Sequence, residues 1–348
     1  MTPFTVGFAI VGCGPHAFKY ADAIQEHPDA RLLTVHSRSE QAARDRAEQY
    51  QCIGTTDYES ILKDPEVSVV VFANEPGRHI MAVDAAHAAK HVIVEKPLAE
   101  TYEDGHAIVE ACRRNQVIAG SGLHLRLNTS LNITKDLIDK GRLGEVNFVN
   151  MNIFSRRTPD SFERGGGWRK GIAGGVVLGY AVHNFDFLLG LLGPVMAVNA
   201  VLSNPLNIGT DNYATITMKF SNNVFANINI NGVSQELSGD SFAIYGDKAA
   251  IWIDYSTVNI NRYPFEYLNP QSLKIRRFLK SKIKSFLKRE RTSFTYSRGN
   301  KNLLIDDFIS SVKANRQPKC SLSDNFAVLK IALAAHQSSE KREWVDVL

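Results

Sequence analysis

The stretch TVGFAIVGCGPHA, residues 5–17, constrains this chain more than any other. Its first eight residues form an apolar run ending in glycine, as a strand buried in a parallel sheet reads. A G-x-G-x-x-A turn follows at Gly12, Gly14 and Ala17, and a helix-periodic segment begins there. Each small residue has a task. Gly12 makes the tight turn, Gly14 lets backbone approach a pyrophosphate, and Ala17 stands where a third glycine often does. The helix N-terminus supplies N–H donors. Gly12, Cys13, Gly14, Pro15, His16 and Ala17 are therefore expected to cradle a dinucleotide.

Strand and helix signals keep alternating after this turn. RLLTVHS (31–37), VSVVVFAN (67–74) and HVIVEKP (91–97) read as strands, with helical segments at 17–27, 39–50 and 78–90. This βαβαβ order implies a parallel, doubly wound Rossmann sheet. After about residue 122 the period changes to two, in segments at 144–157, 195–204, 213–232 and 242–263. Helices are expected at 127–140, 180–192, 302–315 and 323–339. The fold class is thus α/β: residues 1–122 form the cofactor domain, and residues 123–348 an α+β domain with a large, mostly antiparallel open sheet. Two domains suit a length of 348 residues.

The end of the second strand selects the cofactor. NAD is gripped there by a carboxylate on the ribose 2′-hydroxyl, but this strand ends in His36, Ser37 and Arg38. A guanidinium at Arg38 with the Ser37 hydroxyl suits a 2′-phosphate, so NADP is expected, with NAD as the alternative.

The block VSVVVFANEPGRHIMAVDAAHAAKHVIVEKPLA (67–99) resembles the glucose-fructose oxidoreductase / inositol dehydrogenase / rhizopine-catabolism (Gfo/Idh/MocA) family. LRLN (125–128), GRLGEV (141–146), and Gly174, Gly175, His183 and Asp186 extend the likeness over nearly the whole chain. The resemblance implies a nicotinamide-dependent oxidoreductase acting on carbinol or ketone carbons of sugars, nucleotide sugars or cyclitols. It implies that Asn74, His79 and Glu95 lie along the cofactor, His79 orienting its loop. It also places Lys96, before a cis Pro97, beside nicotinamide ribose and substrate, where an ammonium stabilises a developing alkoxide. His183 matches the family's general acid/base, and His124 and Arg126 would face the same cleft.

One departure stands out. Many dehydrogenases of the family have an aspartate four residues before the histidine, where this chain has Gly179. Asp186 and Tyr180, each three residues from His183, are the candidates to orient the ring or the substrate. A retired enzyme that binds NADP as a regulator, or a reductase of an imine or enone, are the rival expectations.

The remaining features concern partners. Residues 273–291 carry nine Lys/Arg against one Glu, with Ile275, Phe278, Leu279, Ile283, Phe286 and Leu287 at helical spacing. This basic amphipathic helix is expected to pack on its own sheet or a sister subunit, with peripheral membrane contact as the alternative. Nucleic acid is not expected, because no stacking aromatics interleave the cations. The four scattered cysteines predict neither disulfides nor a metal site. No leader is evident, so a cytoplasmic protein is expected. The family likeness implies a homodimer or homotetramer built through the C-terminal sheet.

Overall fold

The computed structural model describes residues 5–155, 158–163, 167–233, 239–253, 257–262, 290–293 and 301–347. The first sheet holds β1 (Val6–Val11), β2 (Ala30–His36), β3 (Ile53–Thr55), β4 (Val69–Phe72), β5 (His91–Val94) and β6 (Ala119–Ser121). All are parallel, in the order β3-β2-β1-β4-β5-β6. The order reverses between β1 and β4, the place where open α/β sheets bind ligands. Helices α1 (Pro15–Glu26), α2 (Glu40–Tyr50), α3 (Tyr58–Lys63), α4 (Ala82–His87) and α5 (Tyr102–Arg114) make the crossovers. Their starts are set by side chains: Ser39, Asp57 and Thr101 accept N–H groups of α2, α3 and α5.

Among the described residues, the second sheet has nine strands. They are β7 (Val146–Phe154), β8 (Val195–Ser203), β9 (Tyr213–Phe220), β10 (Phe225–Asn231), β11 (Gly239–Gly246), β12 (Ala249–Ile253), β13 (Thr257–Arg262), β14 (Glu290–Ser293) and β15 (Val345–Asp346). Their order is β14-β13-β12-β11-β7-β10-β9-β8-β15. Pairing is antiparallel except between β7 and β10, which run parallel. The period-two pattern could not reveal this, since alternation fixes faces and not neighbours. Helices α6 (Thr129–Asp139), α7 (Pro159–Glu163) and α8 (Val182–Leu192) fill the β6–β7 and β7–β8 connections. One sheet face packs on the core, burying Ile216, Met218, Ile228 and Ile230. The other face bears Tyr213, Thr215, Asn229 and Phe225.

The chain then returns to where it began. Helix α9 (Lys301–Ala314) packs on α1, and α10 (Leu322–Lys341) packs on α5 and α8. Ile305, Phe308 and Ile309 join one apolar cluster with Phe8, Ile10, Tyr20 and Ile24 of the first domain. Each such fully buried side chain contributes roughly 1.5–3 kcal/mol. A Cβ at Gly120 on β6 would stand 2.8 Å from the Phe308 ring, so the smallest residue is required there. The expected basic helix lies outside the described residues except for Glu290 and Arg291, which begin strand β14 instead.

Candidate active site

Two adjoining cavities open at the carboxyl ends of β1, β2, β4 and β5. One, of about 580 Å³, is lined by Gly12, Gly14, Ser37, Arg38, Glu75 and Arg78 among others. The second, of about 400 Å³, is lined by Glu95, Lys96, Pro97, Gly174, Gly179 and Tyr180 among others. They share His16, Ala73, Asn74, Trp168 and Arg169.

The first cavity fits a nicotinamide dinucleotide. Gly12 holds φ +119°, and a Cβ on it would sit 2.8 Å from the Ala73 carbonyl, so no other residue can make this turn. Gly14 is extended, and a Cβ there would meet nothing within 4 Å. The first turn of α1 has Gly14 at its start and receives no side-chain cap, unlike α2, α3 and α5. Its N–H donors therefore suit a pyrophosphate. Cys13, Pro15 and His16 line the cleft as expected from the fingerprint, whereas Ala17 is buried beneath it. Asn74 contributes a buried Oδ1 without a hydrogen-bond partner among the described residues, and lines both cavities.

The ribose end is more basic than the sequence motif alone suggests. Arg38 Nη2 lies 2.7 Å and Arg78 Nε 3.0 Å from the same Glu75 Oε1. Two guanidinium groups thus share one carboxylate beside Ser37. Arg78 and Glu75 were not among the sequence candidates, because each reads as an ordinary exposed charge.

In the second cavity the Lys96–Pro97 peptide is cis. Lys96 Nζ donates to the Gly179 carbonyl at 2.9 Å. This contact explains the missing aspartate. Residues Val177–Ala181 form a turn of π-helix leading into α8, and a Cβ at 179 would stand 2.5 Å from the Ala173 carbonyl oxygen. A side chain cannot occupy that position in this backbone, and a main-chain oxygen receives the ammonium instead.

His183 lies one turn beyond Gly179, half-buried at the start of α8. Its ring meets His124 edge-on with centroids 5.0 Å apart, and its buried Nδ1 has no hydrogen-bond partner among the described residues. Burial, then Lys96 and His124, hold this imidazole well below its usual range, so it is neutral near pH 7. His124, which also reaches the Gly122 carbonyl at 3.2 Å, is pushed down to about 4 by burial and Lys301. Tyr180 lines the cavity, half-buried.

Glu95 is held from three sides. Tyr20 donates its hydroxyl to Glu95 Oε1 at 2.8 Å, Lys301 forms an ion pair with the same oxygen, and the Lys96 N–H reaches Oε2 at 3.1 Å. Burial alone would raise this carboxyl, but Lys301, His16 and Lys96 together outweigh it and keep it ionised, well below the usual range.

Three expectations need correction. Asp186 does not line the cavity: it is fully buried and bonded through Oδ1 to Arg126 Nε at 2.6 Å. Arg126 is not a substrate clamp either, because its Nη2 reaches Asp324 of α10 at 3.1 Å. The pair ties α8 to α10 through the 3-10 turn Leu125–Leu127. The i+3 spacing did place Asp186 and His183 on one helix, but α8 buries its aspartate inward. His79 is likewise buried beneath the cofactor loop, its Nδ1 3.0 Å from the Leu98 carbonyl and Nε2 3.3 Å from that of Asn74. It orients the loop, as expected, but lines neither cavity. Trp168 and Arg169, at the junction of the two cavities, escaped the sequence reading. A tryptophan beside an arginine just before the glycine pair was the available signal.

A family model described as "Oxidoreductase family, NAD-binding Rossmann fold" matches residues 6–123, and its companion "Oxidoreductase family, C-terminal alpha/beta domain" matches residues 135–347. The chain belongs to the Gfo/Idh/MocA oxidoreductase family. Its relatives in this family include the myo-inositol 2-dehydrogenase of Thermotoga maritima, 22% identical over 97% of both chains. Among solved structures, levoglucosan dehydrogenase in complex with NADH and levoglucosan superposes with a TM-score of 0.86, at 20% identity and 99% coverage of each chain. The WlbA dehydrogenase of Bordetella pertussis, in complex with NADH and UDP-GlcNAcA, gives 0.84 at 20% identity, covering 100% of this chain and 99% of its own. The Gfo/Idh/MocA fold therefore takes in both sheets of the described residues.

Proposed function

We propose that this oxidoreductase transfers hydride between NADP and a carbinol or ketone carbon of a sugar, nucleotide sugar or cyclitol. A nicotinamide bound at the glycine cradle supplies the hydride donor or acceptor. The carrying observation is the Lys96 ammonium, anchored on the Gly179 carbonyl in the cavity that adjoins this cradle. There it stabilises an alkoxide as hydride leaves carbon. His183, neutral and half-buried one turn beyond the Gly179 of the cavity wall, takes the hydroxyl proton in oxidation and returns it in reduction. Tyr180 and Asn74 orient polar groups of the reactants, and Trp168 limits water at the cavity junction.

The preference for NADP rests on Arg38 and Arg78, which leave one net positive charge after pairing with Glu75. The residue boundary between cofactor and substrate units is set at 122/123, just after β6. Self-association through the open face of the nine-strand sheet is supported by its exposed Met196, Val201, Phe225 and Trp252. A reducing, cytoplasmic setting suits four unpaired cysteines. No helix among the described residues is long and apolar enough to cross a membrane.

The test is Lys96→Met assayed at 340 nm with NADPH or NADP and a panel of keto-sugars, cyclitols and nucleotide sugars. Turnover should fall at least about 100-fold while the dissociation constant for NADPH stays within about threefold. Retained turnover would remove Lys96 from the mechanism.

A further inference from the structure

The π-turn that carries Gly179 is not capped by its own side chains. Val176 and Val177 open it, and neither side chain can accept an N–H. Both N–H groups end instead on Asp211, in the connection between β8 and β9. Its main-chain oxygen accepts from Val176 at 3.0 Å, and its buried Oδ2 accepts from Val177, 34 positions away, at 2.8 Å. Gly175 lets the carboxylate in. A Cβ on that residue would stand 2.0 Å from Asp211 Oδ1.

Asp211 is itself held in place. Thr210 donates its hydroxyl to Oδ1 at 3.4 Å, and His336 Nε2 of α10 lies 3.5 Å from the same oxygen. The next residue, Asn212, is fully buried and donates through Nδ2 to Asn204 Oδ1 at 2.6 Å and to the Thr210 carbonyl at 3.2 Å. Asp211 lines neither of the two cavities described above; it borders a third, of about 470 Å³, with Thr210 and His336. It can act on the reaction only through another residue.

We propose that Asp211 is a positioning residue for the reaction: it clamps the start of the π-turn and, through the Gly179 carbonyl, fixes where the Lys96 ammonium stands. This rests on the hydride-transfer reading above. The path is short. The Gly179 N–H bonds the carbonyl of Gly175, the residue packed against Asp211, at 2.8 Å, and the Gly179 carbonyl in turn accepts Lys96 Nζ at 2.9 Å. A lysine head sits on a flexible four-carbon stem, so its place is set by what it bonds. A misplacement of about 1 Å at a reacting centre can cost about 100-fold in rate, which makes the seat of that carbonyl matter to turnover.

The experiments use the full-length protein. Asp211→Ala should lower kcat about 10–100-fold while the dissociation constant for NADPH stays within about threefold. Asp211→Asn keeps an acceptor oxygen for the Val177 N–H and should bring kcat back to within about fivefold of the parent. In a Lys96→Met background the Asp211→Ala loss should shrink below about threefold, because the lysine it acts through is gone. A purely structural aspartate would lower the melting temperature and leave kcat per folded molecule unchanged, or lower it equally in both backgrounds; either result overturns the proposal. A second readout needs no turnover. Gly179–Tyr180 is the one Gly-Tyr step in the sequence, so ¹³C-carbonyl glycine with ¹⁵N-tyrosine labelling isolates the Gly179 carbonyl by NMR. Lys96→Met should move its resonance upfield, and Asp211→Ala should move it the same way; a resonance that stays in place in Asp211→Ala overturns the proposal. If Asp211→Ala does not fold, Gly175→Ala takes its place, since its methyl displaces the same carboxylate. The shared carbonyl shift in a chain that turns over no sugar would sink the hydride-transfer reading and keep the clamp; turnover lost in Lys96→Met but not in Asp211→Ala would do the reverse.

Discussion

Restoring the family's carboxylate by Gly179→Asp should harm this enzyme rather than improve it. The new Cβ would lie 2.5 Å from the Ala173 carbonyl oxygen, so backbone must yield about 0.9 Å to reach the 3.4 Å of ordinary contact. It cannot yield freely. Gly174, the next residue, sits so close to Arg169 that a Cβ on it would stand 1.8 Å from that carbonyl oxygen, and the 174 and 175 N–H groups are bonded at 3.0 and 3.1 Å. Such overpacking costs about 1–3 kcal/mol. The shift also draws the Gly179 carbonyl off Lys96, weakening a charged hydrogen bond worth about 1.5–3 kcal/mol. Urea unfolding should show a loss of about 2.5–6 kcal/mol for Gly179→Asp and a loss of the same order for Gly179→Ala, which carries the same Cβ and serves as the steric control. kcat should fall about 100-fold in the aspartate variant, because its lysine is no longer held in register with the substrate. An aspartate variant as stable as the parent and equally or more active would refute the steric argument and the role given to the carbonyl.

Other outcomes follow from the same geometry. Arg126→Ala removes the buried counter-cation of Asp186, a loss that reaches about 3–5 kcal/mol only above neutral pH, with KM of the folded enzyme unchanged. Burial already holds the Asp186 carboxyl at about 7 with Arg126 in place and higher without it, so the deficit should be small below about pH 7 and grow above it; a pH-independent deficit contradicts this. Arg38→Ala should erase a preference for NADPH over NADH in fluorescence titrations, and tighter NADH binding by the parent would overturn the cofactor assignment. The parent should lose stability as pH falls from about 6.5 toward 4. His124 and His183 have depressed values in the fold, so neutral imidazoles favour the native state until they are forced to charge. A urea midpoint flat over that window would show that these rings titrate normally.

The cofactor half was largely legible because its signals are local. An apolar run, two glycines and a helix start lie within thirteen residues, and Gly12 proves irreplaceable both for its backbone angle and for its closeness to Ala73. Strands β3 and β6, three residues each, left no periodicity to read, and IGT and AGS carry too few apolar side chains to announce themselves. The substrate cavity was legible only where charge chemistry sits next to a recognisable block, as at Lys96. Lys301, Arg126 and Asp186 look alike in sequence as isolated charges near helix ends or faces. Which of them meets the cavity, and which meets another charge, is decided by helix packing across intervals of 60 to 206 residues, and no local pattern encodes that.

The clasp of α9 on α1 has a consequence for biosynthesis. While a ribosome is still making the second sheet, the nascent Rossmann half lacks the partner for Glu95 and leaves Phe8, Ile10 and Ile24 without Ile305 and Phe308 above them. Lys313 is also yet to reach Asp29, and Gln317 yet to bond the Val117 carbonyl and the Ala119 N–H. A polypeptide terminated before residue 301 should therefore emerge sticky and protease-sensitive, even though every glycine of its nucleotide cradle is present.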